Sequence, residues 1–209
     1  DSLASMGFQS ISGPAGSLQV LVEEPNRLPS ALAVICHPHP LHGGALTNKV
    51  VHQLARTFLQ QGAVTVRFNF RGVGESEGAF DDGRGELADL LAVVDWASQR
   101  WPHLQLWLGG FSFGGIIAIR AAMDLQLERL VTVAPAISYL PDMKPDLPGL
   151  DWLLVQGEED DIVSAESVVR WAESLPNRPT MALVAGTGHF FHGRLNDLKQ
   201  AMLDTWSRG

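Results

Sequence analysis

Two serines in this chain sit in the pattern G-x-S-x-G, which serves chemistry when it forms a sharp strand-to-helix turn. One is Ser112, in Gly110-Phe-Ser112-Phe-Gly114; the other is Ser76, in Gly74-Glu-Ser76-Glu-Gly78. The turn lifts a hydroxyl above the end of a sheet, and small residues two before and two after it let the backbones pass closely. Ser112 has the context the pattern requires. The apolar run Leu104-Gln-Leu-Trp-Leu108 precedes it and the helix-forming run Ile116-Ile-Ala-Ile-Arg-Ala-Ala-Met123 follows. Ser76 lies among Glu75, Glu77, Asp81 and Asp82 with no helix opening behind it, and reads as a glycine-rich surface loop.

A serine hydroxyl is a weak nucleophile at neutral pH and needs a base, itself oriented by an acid. Downstream of Ser112 the run Trp152-Leu-Leu-Val-Gln156 breaks at Gly157 into the acidic turn Glu158-Glu-Asp160-Asp161. Further on, Met181–Val184 leads into Gly186-Thr-Gly188-His189-Phe-Phe-His192. An acid and a histidine thus each follow a strand, as Ser112 does.

The elements that must position these groups alternate. Ala31–Cys36 is a compact apolar run, and Val50, Val51, Leu54, Ala55, Phe58 and Leu59 recur at helical spacing until Gly62 stops them. Ala63–Phe70 alternates as a strand, and Leu87, Leu90, Leu91, Val94 and Ala97 mark a second amphipathic helix. Strands Leu104–Leu108, Leu130–Val133, Trp152–Val155 and Met181–Val184 then alternate with helices through about Met123, over Ala165–Leu175 and over Leu195–Trp206. This predicts an α/β fold with a mainly parallel twisted sheet covered by helices on both faces. Gly7–Ile11 and Leu18–Glu23, turned by Gly13-Pro-Ala-Gly16, predict an antiparallel hairpin at its edge. In such sheets ligands bind beyond the carboxyl ends of the strands, where all three candidate groups fall.

Composition narrows the field. A chain of 209 residues with 45% apolar and 18% charged residues suits one domain, 1–209. Lys and Arg total 15 against 23 Asp and Glu, a net charge of −8, which opposes binding to nucleic acid or an anionic membrane. The longest uncharged apolar stretch, Leu104–Ile119, is broken by glycines and falls short of the roughly 18 residues a membrane span needs. Cys36 is the single cysteine, so no internal disulfide or thiolate zinc cluster can form. With no signal-peptide pattern at the start, the expected compartment is the cytoplasm. The charge and the single core fit a monomer or a weak homodimer.

Taken together, His37-Pro-His-Pro-Leu-His-Gly-Gly44, Arg67-Phe-Asn-Phe-Arg-Gly-Val-Gly74, the Ser112 turn and Gly188-His-Phe-Phe-His192 resemble the α/β-hydrolase superfamily across nearly the whole chain. More narrowly, they look like small lidless serine hydrolases related to dienelactone hydrolase and short acyl-esterases. Dienelactone hydrolases carry cysteine where this chain has Ser112, which points to ordinary ester chemistry. The resemblance implies a nucleophile Ser112, an acid three residues after the strand-ending glycine, hence Asp160 with Asp161 as runner-up, and a base before the two aromatics, hence His189. His192 is expected to pack at the start of the last helix. It implies an oxyanion hole from the backbone N–H groups of Phe113 and His39; Pro38 and Pro40 have no N–H, and Leu41 or the Gly43-Gly44 pair are the alternatives. The expected function is cleavage of small carboxylic esters or related acyl bonds through an acyl-enzyme, without metal or cofactor; a non-catalytic scaffold on the same fold is the alternative. His37, His39 and His42 are read as loop residues rather than zinc ligands. Arg71 is read as a salt-bridge partner in a loop lining the site. Between Ala134 and Asp151 there is room only for a loop with Pro135, Pro141, Pro145 and Pro148, so no cap domain is expected.

Overall fold

A computed structural model describes residues 3–207. The hairpin of β1 (Leu3–Gly13) and β2 (Gly16–Pro25) opens the chain, longer at both ends than the apolar pattern suggests. Then come β3 (Ala31–Cys36), α1 (Lys49–Gln60), β4 (Ala63–Phe68) and α2 (Arg84–Arg100). The second half runs β5 (Gln105–Phe111), α3 (Phe113–Ala122), β6 (Arg129–Val133), β7 (Asp151–Gly157), α4 (Ala165–Glu173), β8 (Thr180–Val184) and α5 (Leu195–Thr205). The eight strands form one sheet in the order β1-β2-β4-β3-β5-β6-β7-β8, antiparallel at β1–β2 and β2–β4 and parallel from β4 through β8.

The alternation along each strand divides the core in two. Val64, Val66 and Phe68 join Leu90, Val93, Ile116, Ile119 and Val168 on the face covered by α2, α3 and α4. Ala33, Ile35, Trp107, Val131 and Val155 meet Val51, Leu54, Phe58, Leu198 and Met202 on the face covered by α1 and α5. Strands buried on both faces read as continuous apolar runs, which is why β3 and β7 do. Burying each such side chain contributes about 1.5–3 kcal/mol. On β4 the polar side is buried too. Arg67 bonds Glu23 Oε1 at 2.6 Å and the Leu46 carbonyl at 3.1 Å, so the charge in this strand is paired across to β2.

Helix starts match their residues. Asn48 caps α1 by accepting from the N–H groups of Val50 and Val51, and Ser164 caps α4 through Ser167 N–H. After β6 the chain makes a 3-10 turn at Ile137–Tyr139 and then coil up to β7, so among the described residues no cap domain is inserted there. No helix among them is long and apolar enough to cross a membrane.

Candidate active site

Strand β5 does not stop at Leu108. It runs on through Gly109, Gly110 and Phe111 and delivers Ser112 directly into α3. The glycines that look like breakers are what lets strand and helix touch. A Cβ on Gly110 would lie 2.3 Å from the Gly114 carbonyl oxygen, and one on Gly114 would lie 2.4 Å from the carbonyls of Cys36 and His37. Ser112 itself takes φ 56° and ψ −116°, a left-handed backbone that costs a non-glycine residue on the order of 1–3 kcal/mol. The surroundings hold it there: Ser112 N–H donates to Val133 O at 2.9 Å, and its carbonyl accepts from Gly115 and Ala136.

Three side chains from three strand ends converge. Ser112 Oγ lies 3.1 Å from His189 Nε2, and His189 Nδ1 lies 2.7 Å from Asp160 Oδ2. A carboxylate on Nδ1 holds the proton there, so Nε2 is free to accept from the serine hydroxyl. Asp160 is saturated. Its Oδ1 accepts from the N–H groups of Ile162 and Val163, and its Oδ2 also accepts from Gln156 Nε2 at 3.2 Å. Burial opposes the charge on Asp160, but the bonds from His189, Val163 and Ile162 outweigh it and set its pKa below the ordinary value. Asp161, Glu158 and Glu159 are exposed; so is His192, expected to pack at the start of α5, and its ring lies 6.0 Å from that of Phe190.

Gln156 is a site residue that the reading of the sequence passed over. Its signal was there: a polar residue closing an otherwise apolar strand, one position before the strand-ending glycine.

The loop after β3 faces Ser112. It is tied down by His37, whose ring is fully buried and packs edge-on against Phe70. His39 stacks on His42 at 4.3 Å and its Nδ1 accepts from Leu41 N–H. The His39 carbonyl accepts from His42 and Gly44, which leaves the His39 N–H with no partner among the described residues. Phe113, at the first position of α3, likewise has a free N–H. His39 and Ser112 line a cleft of about 130 Å³ together with Pro38, His42, Asn48, Ile162 and Phe190 among others.

Two expectations are corrected here. The Arg71 loop is not among the residues lining this cleft, although Arg71 does form the salt bridge expected of it, gripping both Asp89 oxygens at 2.9–3.2 Å. Ser76 is buried rather than on the surface. Its hydroxyl donates to the Asn69 carbonyl and accepts from Gln19 N–H, pinning the loop to β2, and it makes no bond to an imidazole among the described residues.

Burial drives the His37 pKa from 6.5 down to about 4, against a smaller raising effect of its bond to Pro38 O. The folded state therefore resists a proton that the unfolded chain accepts, so this stability is complete above pH 6.5 and drains away as pH falls to about 4. From that shift the protein should lose about 2 kcal/mol by pH 5 and about 3 kcal/mol by pH 4. Urea unfolding at pH 7, 5 and 4 measures the slope; a flat profile across this window would contradict the buried, neutral imidazole.

Comparison with known proteins shows the family and the fold. A family model described as serine aminopeptidase, S33 matches residues 33–150. An uncharacterized protein of Rickettsia prowazekii is 32% identical over 206 residues, covering 92% of this chain and 85% of that protein. Among solved structures, an alpha-beta serine hydrolase homologue from Coxiella burnetii is 39% identical, with TM-score 0.92 over 96% of this chain and 97% of that one. A serine hydrolase without lid from Xanthomonas campestris is 38% identical, with TM-score 0.87 over 97% and 94% of the two chains.

Proposed function

This chain belongs to the serine aminopeptidase S33 family of α/β hydrolases, and from the geometry of its site we propose that it hydrolyses small carboxylic esters through an acyl-enzyme. The observation that carries the proposal is the unbroken relay from Ser112 Oγ through His189 to Asp160, at 3.1 and 2.7 Å. In this reading Ser112 attacks the substrate carbonyl while His189 Nε2 takes its proton, and Asp160 stabilises the imidazolium that forms. The N–H groups of Phe113 and His39 receive the oxyanion, His189 returns the proton to the leaving alcohol, and a water molecule repeats the sequence to release the acid.

The cleft supports esters over peptides. An aminopeptidase must hold an α-ammonium, which calls for a carboxylate facing the substrate. None of the described residues lining the cleft is acidic, and both oxygens of Asp160 are already engaged. Its walls, Ile162 and Phe190, are apolar, and a volume of about 130 Å³ suits a short acyl group.

A fluorophosphonate probe should form one adduct, on Ser112 and not on Ser76. Across p-nitrophenyl esters, kcat/KM should rise through acyl chains of about two to four carbons and level off beyond them, since a methylene left outside the pocket adds no burial. No adduct on Ser112 would defeat the hydrolase reading. A rate that climbs steadily to long chains would defeat the small-acyl assignment alone.

A further inference from the structure

We infer that His37 is the positioning residue of the oxyanion hole: its imidazole holds the Pro38 carbonyl and so aims the N–H of the same peptide unit, that of His39, at the substrate. This rests on the serine-hydrolase reading above. His37 is the first residue beyond β3, and its two ring nitrogens are both engaged in ways that admit a single tautomer. Nε2 lies 3.1 Å from the Phe70 N–H and can only accept from it, which leaves the ring proton on Nδ1. Nδ1–H then donates to Pro38 O at 2.6 Å. The Pro38 carbonyl and the His39 N–H lie in one trans peptide plane and point in opposite directions, so fixing the oxygen fixes the donor.

The remaining polar groups of His39 are occupied: its carbonyl by His42 and Gly44 N–H, its Nδ1 by Leu41 N–H. Of its backbone groups only the N–H is unspent among the described residues. The His37 carbonyl is meanwhile in close contact with Gly114 in the first turn of α3, so the two oxyanion donors are held to one framework. Pre-set donors of this kind act without reorganising when charge develops, and losing one lowers turnover by about 100- to 1000-fold. Phe70, the second residue beyond β4, supplies the anchor at the far end of the imidazole.

The test compares two amides with different reach. In His37→Asn the amide nitrogen occupies the place of Nδ1 and can still hold Pro38 O. In His37→Gln the amide reaches the place of Nε2 and can hold Phe70 N–H but not Pro38 O. Steady-state kinetics on p-nitrophenyl acetate should show the Asn variant within about tenfold of the parent kcat and the Gln variant about 100-fold down, with KM for both within about threefold. Thermal midpoints of the two variants should be close, because each keeps one of the two bonds. Equal kcat values for Asn and Gln, or a Gln variant with the parent kcat, would overturn the role of His37 while leaving Ser112 chemistry in place. An unlabelled, inactive parent protein would instead overturn the hydrolase reading. If neither variant folds, nitrogen-15 NMR of the native imidazole decides: a bare Nε2 at pH 7 supports the inference, and a protonated Nε2 refutes it.

Discussion

Ser112→Ala should lower kcat by about 10⁴-fold or more, leave KM nearly unchanged and abolish fluorophosphonate labelling. The loss is large because the hydroxyl is the reacting group in this mechanism, and the other triad members have nothing to activate without it. The protein should remain folded. Ser112 Oγ has one protein partner, His189 Nε2, and the turn is held by backbone bonds to Val133, Gly115 and Ala136 that alanine keeps. The strain at φ 56° is a property of any residue with a Cβ, so Ser112→Gly should melt higher than Ser112→Ala while being equally inactive. That ordering would show a backbone held in a costly conformation for the sake of the hydroxyl. Full esterase activity in a folded Ser112→Ala protein would place the chemistry elsewhere.

The fold was legible because burial imposes periodicity. Strands β3 and β7, covered on both faces, read as solid apolar runs, whereas α1 repeats at helical spacing up to the positive φ of Gly62. What periodicity cannot show is where a strand ends when its terminal residues are small for a packing reason. Gly109 and Gly110 read as breakers of β5, yet they stay in the sheet, paired with Ile35 and Cys36, because α3 lies too close for a side chain at Gly110. The hairpin was read short for another reason. Residues 5–10 of β1 are exposed, so no buried face writes an alternation into that part of the strand.

For the site, motif context pointed to Ser112, and strand-end loops pointed to the acidic turn and the histidine loop. Which of several neighbouring acids faces an imidazole is a matter of turn geometry, and there the resemblance to known hydrolases, not spacing, selected Asp160. The contacts that brace the site were not legible. Gln156 and His37 act through bonds whose partners the surrounding loops orient, Asp160, the Pro38 carbonyl and the Phe70 N–H, whereas for Arg71 the salt bridge was legible and only its partner, Asp89, was not. Ser76 shows the converse. Its acidic, glycine-rich surroundings look solvated, but the hydroxyl is buried as a bridge between Gln19 and Asn69, a pairing across strands distant in sequence.

Asp160→Asn should cost about 10⁴-fold in kcat with the fold intact, and the reason lies in which way the new amide must point. Its oxygen can face the Ile162 and Val163 N–H groups, at 2.8 and 2.7 Å, or face His189 and Gln156, at 2.7 and 3.2 Å. The two backbone donors cannot turn away, whereas His189 can change tautomer and the two amide hydrogens of Gln156 can both go to the Gly157 and Val163 carbonyls that its nitrogen already faces. The oxygen therefore stays with the backbone and the NH₂ is driven toward His189. Nδ1 must then accept, the ring proton moves to Nε2, and the nitrogen facing Ser112 becomes a donor that cannot take the hydroxyl proton. KM should change little, since Asp160 does not touch the substrate in this mechanism, and fluorophosphonate labelling should slow in step with kcat. Asp161→Asn, one residue on and exposed to solvent, should stay within about twofold of the parent, because a solvated carboxylate contributes little to its neighbours. An Asp160→Asn enzyme that kept more than a tenth of its activity would mean the imidazole is oriented by something other than this carboxylate.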